Sequence, residues 1–191
     1  MPPFKNFTKK AKEAIKKAHE LAIERAQSNV NVVHLVTALI LQEESMVASI
    51  LDKLEVDTIA LTDALLEAIE APENGPMVAP SYQMFLTQEL AKALESSAQV
   101  AASFSDQFIS TEHLFISALD ASDEVRDIVA RFDIERESVA RILKELREKH
   151  ATHEALRTWR RKTNSTQLLA AIKKFTASFK YFLVVQKTIP F

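Results

Sequence analysis

Cysteine is absent and glycine occurs once in this chain of 191 residues. The first absence excludes disulfides, thiolate catalysis and Cys-ligated zinc. The second nearly excludes Gly-rich phosphate loops, dinucleotide-binding turns and most sandwiches or barrels, which place Gly where the backbone is strained. A Walker-type nucleotide loop needs two glycines, so no ATP is expected to bind. No apolar run reaches the length of a signal-peptide core or a membrane span, and a soluble, cytoplasmic chain is expected. Hydrophobic residues nonetheless make up 47%, enough to bury a core rather than leave the chain disordered. A helical protein without cofactors is what remains.

Charge divides the chain. The first 149 residues hold 16 basic and 25 acidic residues, a net of −9. From His150 onward eight basic residues accompany one acid, Glu154, a net of +7. Such asymmetry marks a tail with a separate role or origin.

The acidic body is a duplication. Thr8 followed by Ala11, Ala14, Ile15, Ala18, Leu21 and Ala22 reads as a capped helix with one apolar stripe. An offset of 79 residues gives Thr87, Leu90, Ala93, Leu94, Ser97, Val100 and Ala101. His34-Leu35 returns as His113-Leu114, and Ala38-Leu39 returns as Ala118-Leu119 one residue later. Leu54, Val56 and Leu61 match Phe132, Ile134 and Val139. Helix starts are predicted near Thr8, Asn31, Ser45 and Asp57, then near Thr87, Ser110, Asp123 and Glu135. Residues 71–80 hold three of the six prolines and the single glycine, the signature of a linker. A half of about 70 residues buries only about 60% of its unfolded surface. The halves are therefore expected to pack together as one all-α, pseudo-twofold domain of about eight short helices.

Order and spacing here resemble a known family. Phe7-Thr8, an Ala-rich helix, His34-Leu35-x-x-Ala38-Leu39, a Pro-broken linker and Ile109-Ser110-Thr111-Glu112-His113-Leu114 look like the N-terminal double repeat of Clp-type AAA+ chaperones. The likeness covers about residues 4 to 148. It implies a first Clp repeat at 4–71, a linker at 72–82 and a second repeat at 83–148. It also implies a non-catalytic domain that binds unfolded segments or adaptor proteins ahead of two ATPase modules. A stand-alone Clp-repeat adaptor is the alternative within the same fold. A small hydrolase is a third reading, disfavoured because no nucleophile–base pair or metal set is visible.

The basic tail, 149–191, reads as out-of-frame translation. In the family the domain runs into the first ATPase module through a stretch close to Asp-Pro-Val-Ile-Gly-Arg, ending near Arg-Arg-Thr-Lys-Asn-Asn-Pro. Val184-Val185-Gln186-Lys187-Thr188-Ile189-Pro190 fixes the first two bases of each codon. Joined to the third base of the codon before, those pairs permit the second string. The same shift on Thr166 to Ala171 permits the first, and every position between stays permissible. The expectation is one nucleotide lost or skipped shortly after Leu156; coding DNA incompatible with the shifted string would exclude it.

Several residues invite chemistry. His34 and His113 follow the caps Asn31 and Ser110, so a role in the helix start is expected rather than metal binding or catalysis. His150, His153 and Glu154 have ligand types, but i, i+3 spacing near a helix end favours a solvated face. Trp159 among Arg157, Arg160, Arg161 and Lys162 suggests nucleic-acid stacking, which the −9 body opposes. Phe175 to Phe191 has the composition of an interfacial membrane helix, but the frame reading removes that role, and no membrane partner is expected. Thr8, Asp106 and Glu112 suit helix starts and dipoles locally. The resemblance implies more for them, since matching Thr, Asp and Glu positions in ClpB-like members handle substrate beside an apolar groove. In ClpC-like members a Glu before each His is linked to phosphorylated arginine. Here Glu112 is present but its first-repeat counterpart is Val33, which halves that acidic site.

Overall fold

The computed structural model of the chain describes residues 4–25, 27, 29–70 and 85–163, with side chains described up to Lys149 except that of Glu70. Linker 72–82 and tail residues 164–191 lie outside the described residues. The first repeat supplies α1 (Lys9–Glu24), α2 (Val32–Ile40), α3 (Met46–Lys53) and α4 (Thr58–Glu70). The second supplies α5 (Gln88–Ser103), α6 (Thr111–Ala121), α7 (Asp123–Ala130) and α8 (Arg136–Thr163). Two-residue strands, β1 (Asn29–Val30) and β2 (Phe85–Leu86), complete the set with a 3-10 turn at Phe4–Asn6.

Side chains fix the helix starts. Thr8 accepts from the Ala11 amide at 3.3 Å, Ser45 from Ala48 at 3.1 Å and Thr87 from Leu90 at 3.3 Å. Asp57 accepts from Ile59 and Ala60, both at 3.1 Å. Each such cap satisfies donors that have no partner inside the helix. Three helix ends, after α3, α5 and α7, use a left-handed residue, and none of the three is glycine. Glu55, Ser105 and Asp133 take φ of 57°, 60° and 56°. After each, the next amide reaches back to the helix, as Val56 N–H does to the Leu51 carbonyl at 3.1 Å and Ile134 N–H to Val129 at 3.2 Å. That is the Schellman closure, run here without the residue that suits it best.

The pseudo-twofold is visible in backbone pairing. Phe7 bridges Ile109 in parallel, and β1 pairs β2 in parallel with Val30 opposite Leu86. Thr8 N–H donates to the Ile109 carbonyl at 2.9 Å, and Thr87 N–H donates to Val30 at 3.0 Å. Both members of one bond sit 79 residues from their counterparts in the other. Each repeat therefore lends the lead-in of its first helix to the second helix of the other.

Helices α2 and α6 form the centre. Every residue from Val32 to Leu39 is buried, as is every residue from Thr111 to Leu119. Fully burying side chains such as Leu35 and Phe115 contributes about 2 kcal/mol each. Polar residues in this core bond to the helix backbone: Thr37 to the Val33 carbonyl at 2.8 Å and Ser117 to Leu114 at 3.0 Å. The outer helices α1 and α5 show the same sixfold buried stripe, from Ala11 to Ala22 and from Leu90 to Ala101.

One element departs from expectation. Helix α8 is 28 residues long rather than short, because residues 136–163 contain neither Gly nor Pro and are rich in helix-forming Arg, Lys, Glu, Ala and Leu. The compact body ends at Lys144, and residues from Glu145 belong to a separate unit. His150, His153, Glu154 and Trp159 lie within α8 rather than at a helix end, and their side chains are outside the described set.

Candidate functional site

The Thr8–Ile109 hydrogen bond brings the start of α1 beside the segment 104–110, which joins α5 to α6. Along that segment a carboxylate, an aromatic ring and a helix start follow one another. The φ of 60° at Ser105 turns the chain out of α5, and Asp106 N–H closes on the Ala101 carbonyl at 3.0 Å. Asp106 then reaches His113, with Oδ2 lying 2.9 Å from Nε2. Its side chain keeps 34% of its surface exposed, whereas that of His113 is wholly buried. Phe108 is 56% exposed just before the bridge residue Ile109.

His113 sits at the third position of α6 and works as a cap. Its Nδ1 accepts from the Ser110 amide at 3.0 Å. The Phe104 ring lies beside it, 6.0 Å between centroids. With Nδ1 on the backbone and Nε2 at Asp106, both nitrogens are engaged, so neither is open to serve as a hydrolase base. Glu112 is 6% exposed and accepts from the Thr111 hydroxyl at 3.2 Å. Thr8 is partly buried, its hydroxyl directed to its own helix start.

The first repeat repeats the frame with different chemistry. Asn31 N–H donates to His34 Nδ1 at 3.2 Å, and His34 N–H donates to Asn31 Oδ1 at 3.1 Å, a reciprocal capping box. The residue 79 before Asp106 is Gln27, and its amide N–H closes on Ala22 at 2.9 Å just as Asp106 closes on Ala101. Gln27 donates through its side chain to the Ile69 carbonyl. Among the described residues, its Oε1 and the Nε2 of His34 are both buried without a partner. Burial, with the Arg25 charge adding to it, pushes the His34 pKa down to about 4. His34 is therefore neutral at pH 7.

The sequence indicated the two capping histidines but not the Asp106–His113 contact, the substitution of Gln27 or the exposure of Phe108. An offset of 79 applied to Asp106 would have found Gln27; no local pattern announces the others. Among the described residues no group of three or more His, Asp or Glu is placed to hold a metal. No helix there is long and apolar enough to cross a membrane. An open cleft of about 520 Å³ lies elsewhere in the second repeat, floored by Leu119, Val129 and Ile134 and edged by Asp120 and Arg136.

Residues 6–132 match the Clp repeat (R) N-terminal domain family. The ClpB chaperone of Nitratidesulfovibrio vulgaris is 30% identical over 145 residues, covering 74% of this chain and 17% of that protein. The Hsp104 N-terminal domain from Candida albicans shares the fold at a TM-score of 0.64 and 17% identity, covering 75% of this chain and 92% of that one. A ClpV N-domain solved with a VipB peptide gives 0.56 at 18% identity, covering 71% of this chain and 83% of that one. The chain thus spans about a sixth of the length of its ClpB relative. With its duplicated helices, paired lead-ins and matching sequence, the chain belongs to the Clp repeat N-terminal domain family.

Proposed function

We propose that this chain is a substrate- or adaptor-binding domain of the Clp chaperone type, which holds protein segments and does no chemistry on them. One observation carries the reading: the two repeats meet at the Thr8–Ile109 pairing, where half-exposed Phe108 lies two residues from the partly exposed Asp106 carboxylate. An apolar surface there supplies affinity, and the carboxylate orients a basic or amide-rich segment. The ClpV N-domain solved with a VipB peptide supports peptide binding as the use of this fold. Limited contact area sets micromolar affinity, about −8 kcal/mol, as the ceiling. Thr8, Asp106 and Glu112 have unequal parts in this reading. Asp106 is accessible to a ligand, whereas Thr8 and the buried Glu112 shape the segment that presents it.

The test is titration of fluorescently labelled, unfolded polypeptides, one basic and one apolar, against wild type, Asp106→Ala and Phe108→Ala. Phe108→Ala should weaken both ligands, and Asp106→Ala should weaken the basic one more. Equal affinities for all three proteins would remove the site. Absence of any binding by folded wild type would favour the stand-alone adaptor, whose partner is another folded protein.

A further inference from the structure

The internal duplication offers a comparison that exposes a second surface, separate from the one at Asp106. Helices α1 and α5 have the same length and the same six buried positions. At three exposed positions, however, they carry opposite charge in register. Lys10, Glu13 and Lys16 on α1 stand where Glu89, Lys92 and Glu95 stand on α5, each pair 79 residues apart and all six exposed. Residues three apart share a helix face, so each set forms one short stripe. One stripe reads plus, minus, plus and the other reads minus, plus, minus.

We propose that α1 of one copy of this chain docks on α5 of a second copy. Because each stripe reads the same in both directions, opposite charges face each other whether the helices run parallel or antiparallel. Two α1 faces, or two α5 faces, would instead set like charges together. The pattern therefore selects a contact between unlike helices, and a chain that carries both can supply either side. Such a contact is heterologous, so copies join head to tail.

The α1 stripe is also held in place. Lys10 donates to the Glu44 carbonyl, Glu13 lies 3.7 Å from Lys9 and Lys16 lies 3.4 Å from Glu20. These exposed i, i+4 pairs compete only weakly with a partner, because water screens them. The same screening makes the contact between copies weak and sensitive to salt, since the Debye length falls below about 10 Å above 0.1 M. Where two such domains are tethered side by side, effective concentration would favour the contact without any added affinity.

Sedimentation velocity of the full chain measures this at rising protein concentration, in about 20 mM and about 300 mM salt. Wild type should self-associate in low salt, with the association constant falling by roughly tenfold or more in high salt. Lys10→Glu with Lys16→Glu should abolish association, as should Glu89→Lys with Glu95→Lys in a second protein. All four positions are exposed, and circular dichroism checks that both variants are folded. Mixed together, the two variants should associate again, because an all-acidic α1 then meets an all-basic α5. Wild type that stays monomeric in low salt would overturn the proposal. So would association that survives the reversals, or variants that fail to pair on mixing.

Discussion

Burial without a carboxylate partner is what separates His34 from His113. Both are fully buried and both cap a helix, but Asp106 faces one and Gln27 stands at the matching position of the other. Folding therefore holds His34 neutral, with a pKa of about 4, while in the unfolded chain it titrates near 6.5. As pH falls the unfolded chain takes up this proton first, so acid favours unfolding. The contribution is complete above about pH 6.5 and is lost progressively down to about 4, in total about 3 kcal/mol. Between pH 7.5 and 5 wild type should lose about 2 kcal/mol more than His34→Asn, which cannot titrate. Urea unfolding of both proteins at the two pH values measures it. Equal acid sensitivity would show that His34 is not the group responsible. Gln27→Asp supplies the missing carboxylate and should raise the His34 pKa, seen directly by proton NMR of the ring.

Helix starts were the most legible feature in the sequence, for a local reason. A Thr, Asn, Ser or Asp cap bonds to an amide two or three residues ahead, so the whole interaction fits inside a short window of sequence. Duplication supplied a second copy of each signal, and the burial stripe of α1 could be read from its spacing alone. The site was less legible because its parts meet through the fold. Thr8 and Ile109 are 101 residues apart, and the burial of Glu112 depends on helices packed around α6. Helix ends carried an inverted signal: with one glycine in the chain, left-handed positions fell to Glu55, Ser105 and Asp133. For a non-glycine residue this conformation costs roughly 1 kcal/mol. Glu55→Gly should accordingly stabilise the domain by about 0.5 to 1 kcal/mol. Asp133→Gly should gain less, because Asp tolerates this conformation better than Glu. The same replacement at Lys12, an exposed position four residues into α1, should cost about 1 kcal/mol. Thermal unfolding of the three variants checks the order, and a loss at Glu55 would mean that its side chain does more than occupy a turn.

At the scale of the whole chain the question is where the folding unit stops. Both repeats place their buried residues before Lys144: Val139, Ile142 and Leu143 close the second repeat from α8 just as Leu61, Leu65 and Ile69 close the first from α4. Beyond Lys144 the helix continues on propensity, in a stretch rich in charge and poor in apolar spacing. A helix with no apolar face to bury gains little from tertiary packing. The +7 charge of residues 150–191 sets them apart from the acidic body. A chain ending at Lys149 should therefore remain cooperatively helical, with a thermal midpoint within a few degrees of the full chain, since about 1 kcal/mol shifts a domain of this size by roughly 4 °C. It should also be less prone to aggregate, because it lacks the Phe- and Val-rich end, which has the composition of a β-forming segment. Calorimetry of the two chains side by side decides the matter. A large fall in midpoint, or loss of cooperativity, would make the segment after Lys149 part of the folded domain and move the boundary past it.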